Sequence, residues 1–167
     1  MPLSMYQASV PVFAHMLGNL STILDKGAAD AEARKIDPAV FINSRLAPDM
    51  HPLNRQVQIA SDAAKGCVAR LAGIEPPSFP DTETTFPELK ERIAKTVTFV
   101  QSIDAKQIDG TEERDITLKF PGGEFNLKGQ AFLLNFALPN LYFHVATAYD
   151  ILRQNGVQIG KRDFLGG

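Results

Sequence analysis

Four segments of this chain carry apolar side chains at intervals of three and four residues, the spacing that keeps them on one face of an α-helix. The segments are residues 6–24, 53–71, 89–103 and 138–152. Each helix would leave its apolar face in water if it stood alone, so the four must pack against one another. The sequence therefore predicts an all-α fold, a four-helix bundle with shallow crossing angles.

The repeat changes to two residues between positions 114 and 128, where apolar and polar side chains alternate on either side of Pro121-Gly122-Gly123. The alternating apolar residues are Ile116, Leu118, Phe120, Phe125 and Leu127. This pattern predicts a short β-hairpin inserted before the last helix. An isolated hairpin is marginal in water, so we expect it to lie on the bundle or to extend a partner's sheet.

Prolines and glycines set the expected ends of the helices. Gly27 follows the first stripe closely enough to end its helix. Pro11 lies inside that stripe, so the helix either starts near Ser9 or kinks. Residues 130–136 form either a helical turn of their own or the beginning of a long final helix, and Pro139 favours a fresh start.

Length and charge narrow the class of protein. The 167 residues fit one domain spanning residues 1–167. The net charge of −2 is spread over interspersed acids and bases, which argues against nucleic acid and anionic membrane as main partners.

Cys67, the only cysteine, falls on the second stripe and is predicted to be a small buried hydrophobe. No signal-peptide pattern or long apolar run is present, which predicts a cytoplasmic protein.

The three histidines are the most informative candidates for chemistry. His15 points away from the first apolar stripe, which indicates a solvent-facing or interface residue. His51 precedes the second helix, where it either projects across the mouth of the bundle or lies on a surface loop. His144 flanks the last stripe, so it is either a partly buried, hydrogen-bonded side chain or a ligand or general base.

These histidines do not make a standard zinc site. Catalytic zinc usually takes three protein ligands and a water. The natural third ligand would lie one turn after His144, where Ala148 carries no donor atom. Asp62 lies off the second stripe, and Gln56, which is nearer to it, is a poor ligand for a borderline metal. No phosphate-binding glycine loop is present, and the motifs specify no reaction.

Three segments carry a family resemblance: Leu-Ala-Pro-Asp-Met at residues 46–50, residues 140–153, and Gly-Lys-Arg-Asp-Phe-Leu-Gly at residues 160–166. They resemble the signature of a bacterial family of unknown function that is grouped with the DinB/YfiT-like superfamily. The resemblance covers nearly the whole chain. It implies a four-helix bundle and a homodimer. Many members of the superfamily bind a divalent metal, and some act as thiol-dependent transferases, isomerases or hydrolases.

The resemblance also implies where a metal, zinc or nickel, would bind. In the superfamily the ligands are a histidine on the second helix and a His-x-x-x-His on the last helix. His144 matches the first position of that last motif, and Ala148 replaces the second. His51 lies near the second-helix position. His51 and His144 are therefore the candidate metal ligands, at a site that lacks its third.

Three hypotheses for function follow. The first is a DinB-like bundle with a degenerate metal site that binds a small ligand of unknown identity or a partner. The second is a metal-dependent enzyme of the thiol transferase or hydrolase type that uses the reduced histidine site. The third is a dimeric interaction protein that docks another chain through its dimer face or its hairpin.

The C-terminal tail yields a separate expectation. Phe164 and Leu165 are too apolar to extend into water. They are predicted to pack on the bundle, beside the final helix.

Overall fold

The computed structural model describes residues 2–167, and it is mostly helical with one small antiparallel sheet. The elements in chain order are α1 Val10–Ala33, α2 Pro38–Ile42, α3 Leu53–Ala72, α4 Phe86–Gln101, α5 Ala105–Ile108, β1 Asp115–Phe120, β2 Gly123–Lys128, α6 Gly129–Phe132, a π-helical turn Leu133–Ala137, α7 Leu138–Gln154 and α8 Lys161–Leu165. A largely helical chain with one inserted hairpin was expected, and both features are confirmed.

The apolar stripes meet in a single core. Helix α3 packs against α7 and α4, and α1 packs against the same two helices. The stripe residues that are fully or almost fully buried include Val10, Phe13, Leu17, Leu20, Leu24, Leu53, Val57, Ala60, Ala64, Cys67, Leu71, Leu89, Ile93, Val100, Leu141, Val145, Ala148 and Leu152. Burial raises the pKa of the Cys67 thiol well above its ordinary value, so Cys67 is an apolar core residue, as predicted.

The hairpin lies on this core. Ile116 pairs with Leu127 and Leu118 with Phe125, which places these side chains on one face of the sheet. Ile116 is buried in the common core, and Leu118 and Leu127 pack against it. Gly122 has φ of 100°, a left-handed conformation that favours glycine in the turn.

The first helix is longer than its sequence indicates. It begins at Val10, so Pro11 lies in its first turn, and it continues to Ala33. The prediction that Gly27 ends the helix is wrong. A Cβ atom at Gly27 would lie 3.2 Å from Leu152 and 3.3 Å from Phe86, so this glycine lets two neighbouring helices approach α1 closely.

The final helix does not start afresh at Pro139. Residues 129–154 run as one helical segment, in which the Leu138 N–H donates to the carbonyl of Leu133, five residues back. Proline in an ordinary helix interior removes one hydrogen bond and clashes with the preceding turn. The wider π-helical turn ends at Ala137, two residues before Pro139, and so occupies the preceding turn that a proline disrupts in an ordinary helix.

The C-terminal tail packs on the core, chiefly on α1. Asn19 Nδ2 donates to the Phe164 carbonyl, and His15 Nε2 donates to the Leu165 carbonyl, each at a distance of 3.0 Å. A salt bridge of 2.5 Å joins Lys26 to Asp163. Phe164 is half-buried beside Tyr149 of α7, so the tail lies between the two helices rather than beside α7 alone. The prediction that Leu165 packs on the core is wrong, because its side chain is 54% exposed.

None of the helices within residues 2–167 combines the length and the apolar character needed to cross a membrane.

We predict that Gly166→Ala undocks the tail. Gly166 has φ of 84°, and an added Cβ would lie 2.6 Å from Asn19 Oδ1 and 2.8 Å from His15 Cε1. The left-handed conformation alone costs about 1–2 kcal/mol in a residue with a side chain. Thermal unfolding followed by circular dichroism should show a melting temperature lower by about 3–6 °C.

Gly160→Ala is the matched control, since nothing lies within 4 Å of its added Cβ and its φ is −143°. Equal melting temperatures for both variants would contradict the docked tail.

Candidate functional site

A glutamine fixes the protonation of His144. Gln56 on α3 donates from Nε2 to the backbone carbonyl of His51 over 3.0 Å, so its Oε1 faces α7. His144 Nδ1 lies 2.6 Å from that oxygen. Because an amide oxygen only accepts, Nδ1 carries the proton. The Nε2 atom of His144 is then the unprotonated nitrogen, able to accept a proton or bind an electrophile.

The surroundings of His144 keep its ring neutral. Partial burial, then the neighbouring charges of His51 and Arg55, lower the pKa of His144 to about 4. The Phe143 ring meets it edge-on at 5.1 Å between centroids. At neutral pH His144 is therefore an uncharged imidazole.

Gln56 links the two candidate ligands, through the backbone of His51 and the ring of His144. His51 is exposed in the loop before α3, close enough to His144 for its charge to lower the pKa of that ring. Gln56 touches both residues, one through the backbone and one through the ring. The site is therefore His51, Gln56 and His144, at the N-terminal end of α3.

The residues at this site do not fit a metal held by three protein ligands. Ala148, one turn after His144, is fully buried and has no donor atom. Throughout residues 2–167, no three His, Cys, Asp or Glu side chains cluster closely enough to hold a metal ion. Zinc sites usually have at least three protein ligands. Metal binding by His51 and His144 stays a prediction.

The role of Gln56 was missed from sequence, where it was assessed only as a metal ligand. It is 1% exposed and adjoins the stripe residue Val57. A buried amide needs hydrogen-bonding partners, and that need was the available signal.

A second polar cluster was also missed. Arg92 of α4 has a side chain that is 1% exposed, and it contacts three carboxylates: Asp62 at 3.0 Å, Asp81 at 2.9 Å and Glu83 at 3.2 Å. It also donates to the carbonyl of Pro80. Arg92 thus ties the loop between α3 and α4, residues 73–85, to both helices, which is a structural role.

Comparison with known proteins identifies a family and a similar solved structure. The family described as "Domain of unknown function (DUF1993)" matches residues 5–165. The crystal structure of a DinB family member protein from Shewanella denitrificans, at 1.83 Å resolution, is 45% identical, with a TM-score of 0.88 over 97% of this chain and 92% of that chain. No curated protein shows significant similarity. The resemblance predicted from sequence is confirmed.

We predict that His144 titrates with a pKa of about 4 and shows the Nδ1–H tautomer above it. Its pKa is depressed in the folded state, so its contribution to stability is present above pH 6.5, the ordinary histidine pKa, and is lost as the pH falls toward 4. Long-range ¹H–¹⁵N NMR of the ring nitrogens reports both the tautomer and the pKa.

Gln56→Glu should raise the pKa of His144, because a carboxylate at hydrogen-bond distance favours the charged ring. Gln154→Glu, an exposed change near the end of the same helix as His144, is the control and should leave it unchanged. A His144 pKa near the ordinary histidine value in the unaltered protein would contradict the partial burial of its ring beside His51 and Arg55.

We predict that Arg92→Gln lowers the free energy of unfolding by about 2–3 kcal/mol, measured by urea denaturation. Three carboxylates would lose their common cation. The loss is smaller than for a fully buried pair because Asp62 and Asp81 are each 44% exposed. Lys95→Gln, whose partner Glu91 is exposed on the same helix, should change stability by less than about 0.5 kcal/mol. Similar losses in both variants would show that Arg92 does not tie the loop.

Proposed function

Since the chain belongs to the DUF1993 family of domains of unknown function, we propose that it is a DinB-like four-helix bundle whose metal site is reduced to His51 and His144. In this proposal it binds a small ligand or a partner at the histidine site and holds no resident metal. The observation that carries the proposal is Ala148, a fully buried residue without a donor atom at the position of the third ligand.

The hydrogen bonds at the site support a ligand-binding role. His144 Nδ1 is engaged by Gln56, and Gln56 is engaged by the His51 backbone. The neutral His144 Nε2 remains as an acceptor for a hydroxyl, amide or acid proton of a ligand. A neutral imidazole beside an exposed second histidine suits recognition of a polar group without any metal.

We predict that untagged protein, purified without chelator, contains far less than one zinc, nickel or iron per chain. Two imidazoles supply fewer ligands than a stable divalent site needs. Metal content is measured by inductively coupled plasma mass spectrometry before and after incubation with each metal.

The variant that tests the site is His144→Ala. Its matched control is His15→Ala, because His15 contacts the tail rather than the histidine site. About one metal per chain in the unaltered protein and in His15→Ala, lost in His144→Ala, would overturn the proposal.

That same result would support the second candidate function, a metal-dependent enzyme of the thiol transferase or hydrolase type. The observation that favours it is the unprotonated Nε2 of His144 with His51 nearby. Such a site would need water or substrate to complete the coordination that the side chains leave incomplete.

The homodimer and the cytoplasmic location are part of the proposal. Helix α7 exposes Tyr142 and Phe143, at 38% and 54%, directly before His144. Exposed aromatic side chains of this kind are typical of surfaces that another molecule covers. A second copy of this chain is the partner that the family resemblance favours.

A further inference from the structure

A groove separate from the histidine site runs beneath the hairpin. Its volume is about 260 Å³, and its walls come from the hairpin, from α3 and from the helical segment that leads into α7. Asn140 lines it, one helical turn before His144. An apolar cavity of about 150 Å³ is enough for benzene, so this groove has room for a ring with a substituent or for two fused rings.

One wall of the groove is a row of aromatic rings. The centroid of Phe125 lies 5.9 Å from that of Phe120 and 5.6 Å from that of Phe136. Phe120 is 50% exposed and Phe136 is 37% exposed. A planar apolar molecule in the groove would cover these rings and remove their surface from water.

The groove also carries uncompensated positive charge. Arg70 and Lys119 line it, and within residues 2–167 neither forms an ion pair. The carboxylate of the groove, Asp62, already bridges Lys65 and Arg92 at 3.0 Å each. Glu124 lies opposite Lys119 in the sheet but forms no salt bridge with it. Lys119 lies on the opposite face of the sheet from Leu118 and Phe125. An anionic group in the groove would therefore meet Arg70 and the Asn140 amide.

We propose that this groove binds a planar aromatic molecule that bears one carboxylate group. The rings of Phe120, Phe125 and Phe136 supply the apolar contact, and Arg70 supplies the charge. The proposal does not depend on the histidine site, because none of its residues is His51, Gln56 or His144.

The test is a ¹H–¹⁵N NMR titration of the full chain with naphthalene-2-carboxylate, compared with the neutral naphthalene-2-carboxamide. We expect saturable shifts at the amides of the hairpin and around Asn140, with the carboxylate bound more tightly. Arg70→Gln should weaken binding of the carboxylate by about tenfold and leave binding of the carboxamide unchanged.

Phe136→Ala should lower the affinity for both probes, because it removes a ring rather than a charge. Arg153→Gln removes an exposed cation more than three helical turns from Asn140 and should change neither. The proposal is overturned by equal binding of the two probes, by an unchanged affinity in Arg70→Gln, or by shifts that saturate elsewhere. Shifts confined to His144 and Gln56 would instead support a ligand at the histidine site.

Discussion

The antiparallel packing of α3 against α7 is the constraint on which the rest of this structure depends. Buried Val57 and Ala60 on α3 and Val145 and Ala148 on α7 contribute to one apolar core. Their packing fixes the register of the two helices, and that register places Gln56 opposite His144. The same two helices line the groove under the hairpin through Ile59 and Asn140. Both candidate sites therefore depend on one packed interface.

The register has an electrostatic consequence. Burial of the Gln56 amide leaves it few ways to satisfy its hydrogen bonds, and it satisfies them with the His51 carbonyl and the His144 ring. Because the amide orientation is fixed by the carbonyl, the histidine tautomer is fixed too. The neighbouring charges and partial burial then keep the ring neutral. A polar side chain that binds no ligand itself thus determines what His144 can do.

The helices could be predicted from sequence because burial repeats with the helical period. The docking of the tail could be predicted from Phe164, whereas the prediction that Leu165 also packs was wrong, because Leu165 is 54% exposed. Gly27 was misjudged because a glycine that ends a helix and one that admits a neighbouring helix look alike in sequence. The Gln56–His144 contact joins residues 88 apart, so it depends on helix register, which no local pattern encodes. Arg92 is a comparable case, because its three carboxylates come from α3 and a loop.

The central claim, that the histidine site has lost its metal, is tested most directly by the zinc affinity of the intact chain. A competition titration against a chromophoric zinc chelator gives the dissociation constant. A site with two imidazole ligands predicts a value weaker than about 1 µM, whereas protein-held structural zinc reaches about 10–16 kcal/mol, or tens of nanomolar and tighter. Nanomolar affinity that disappears in His144→Ala would contradict the account.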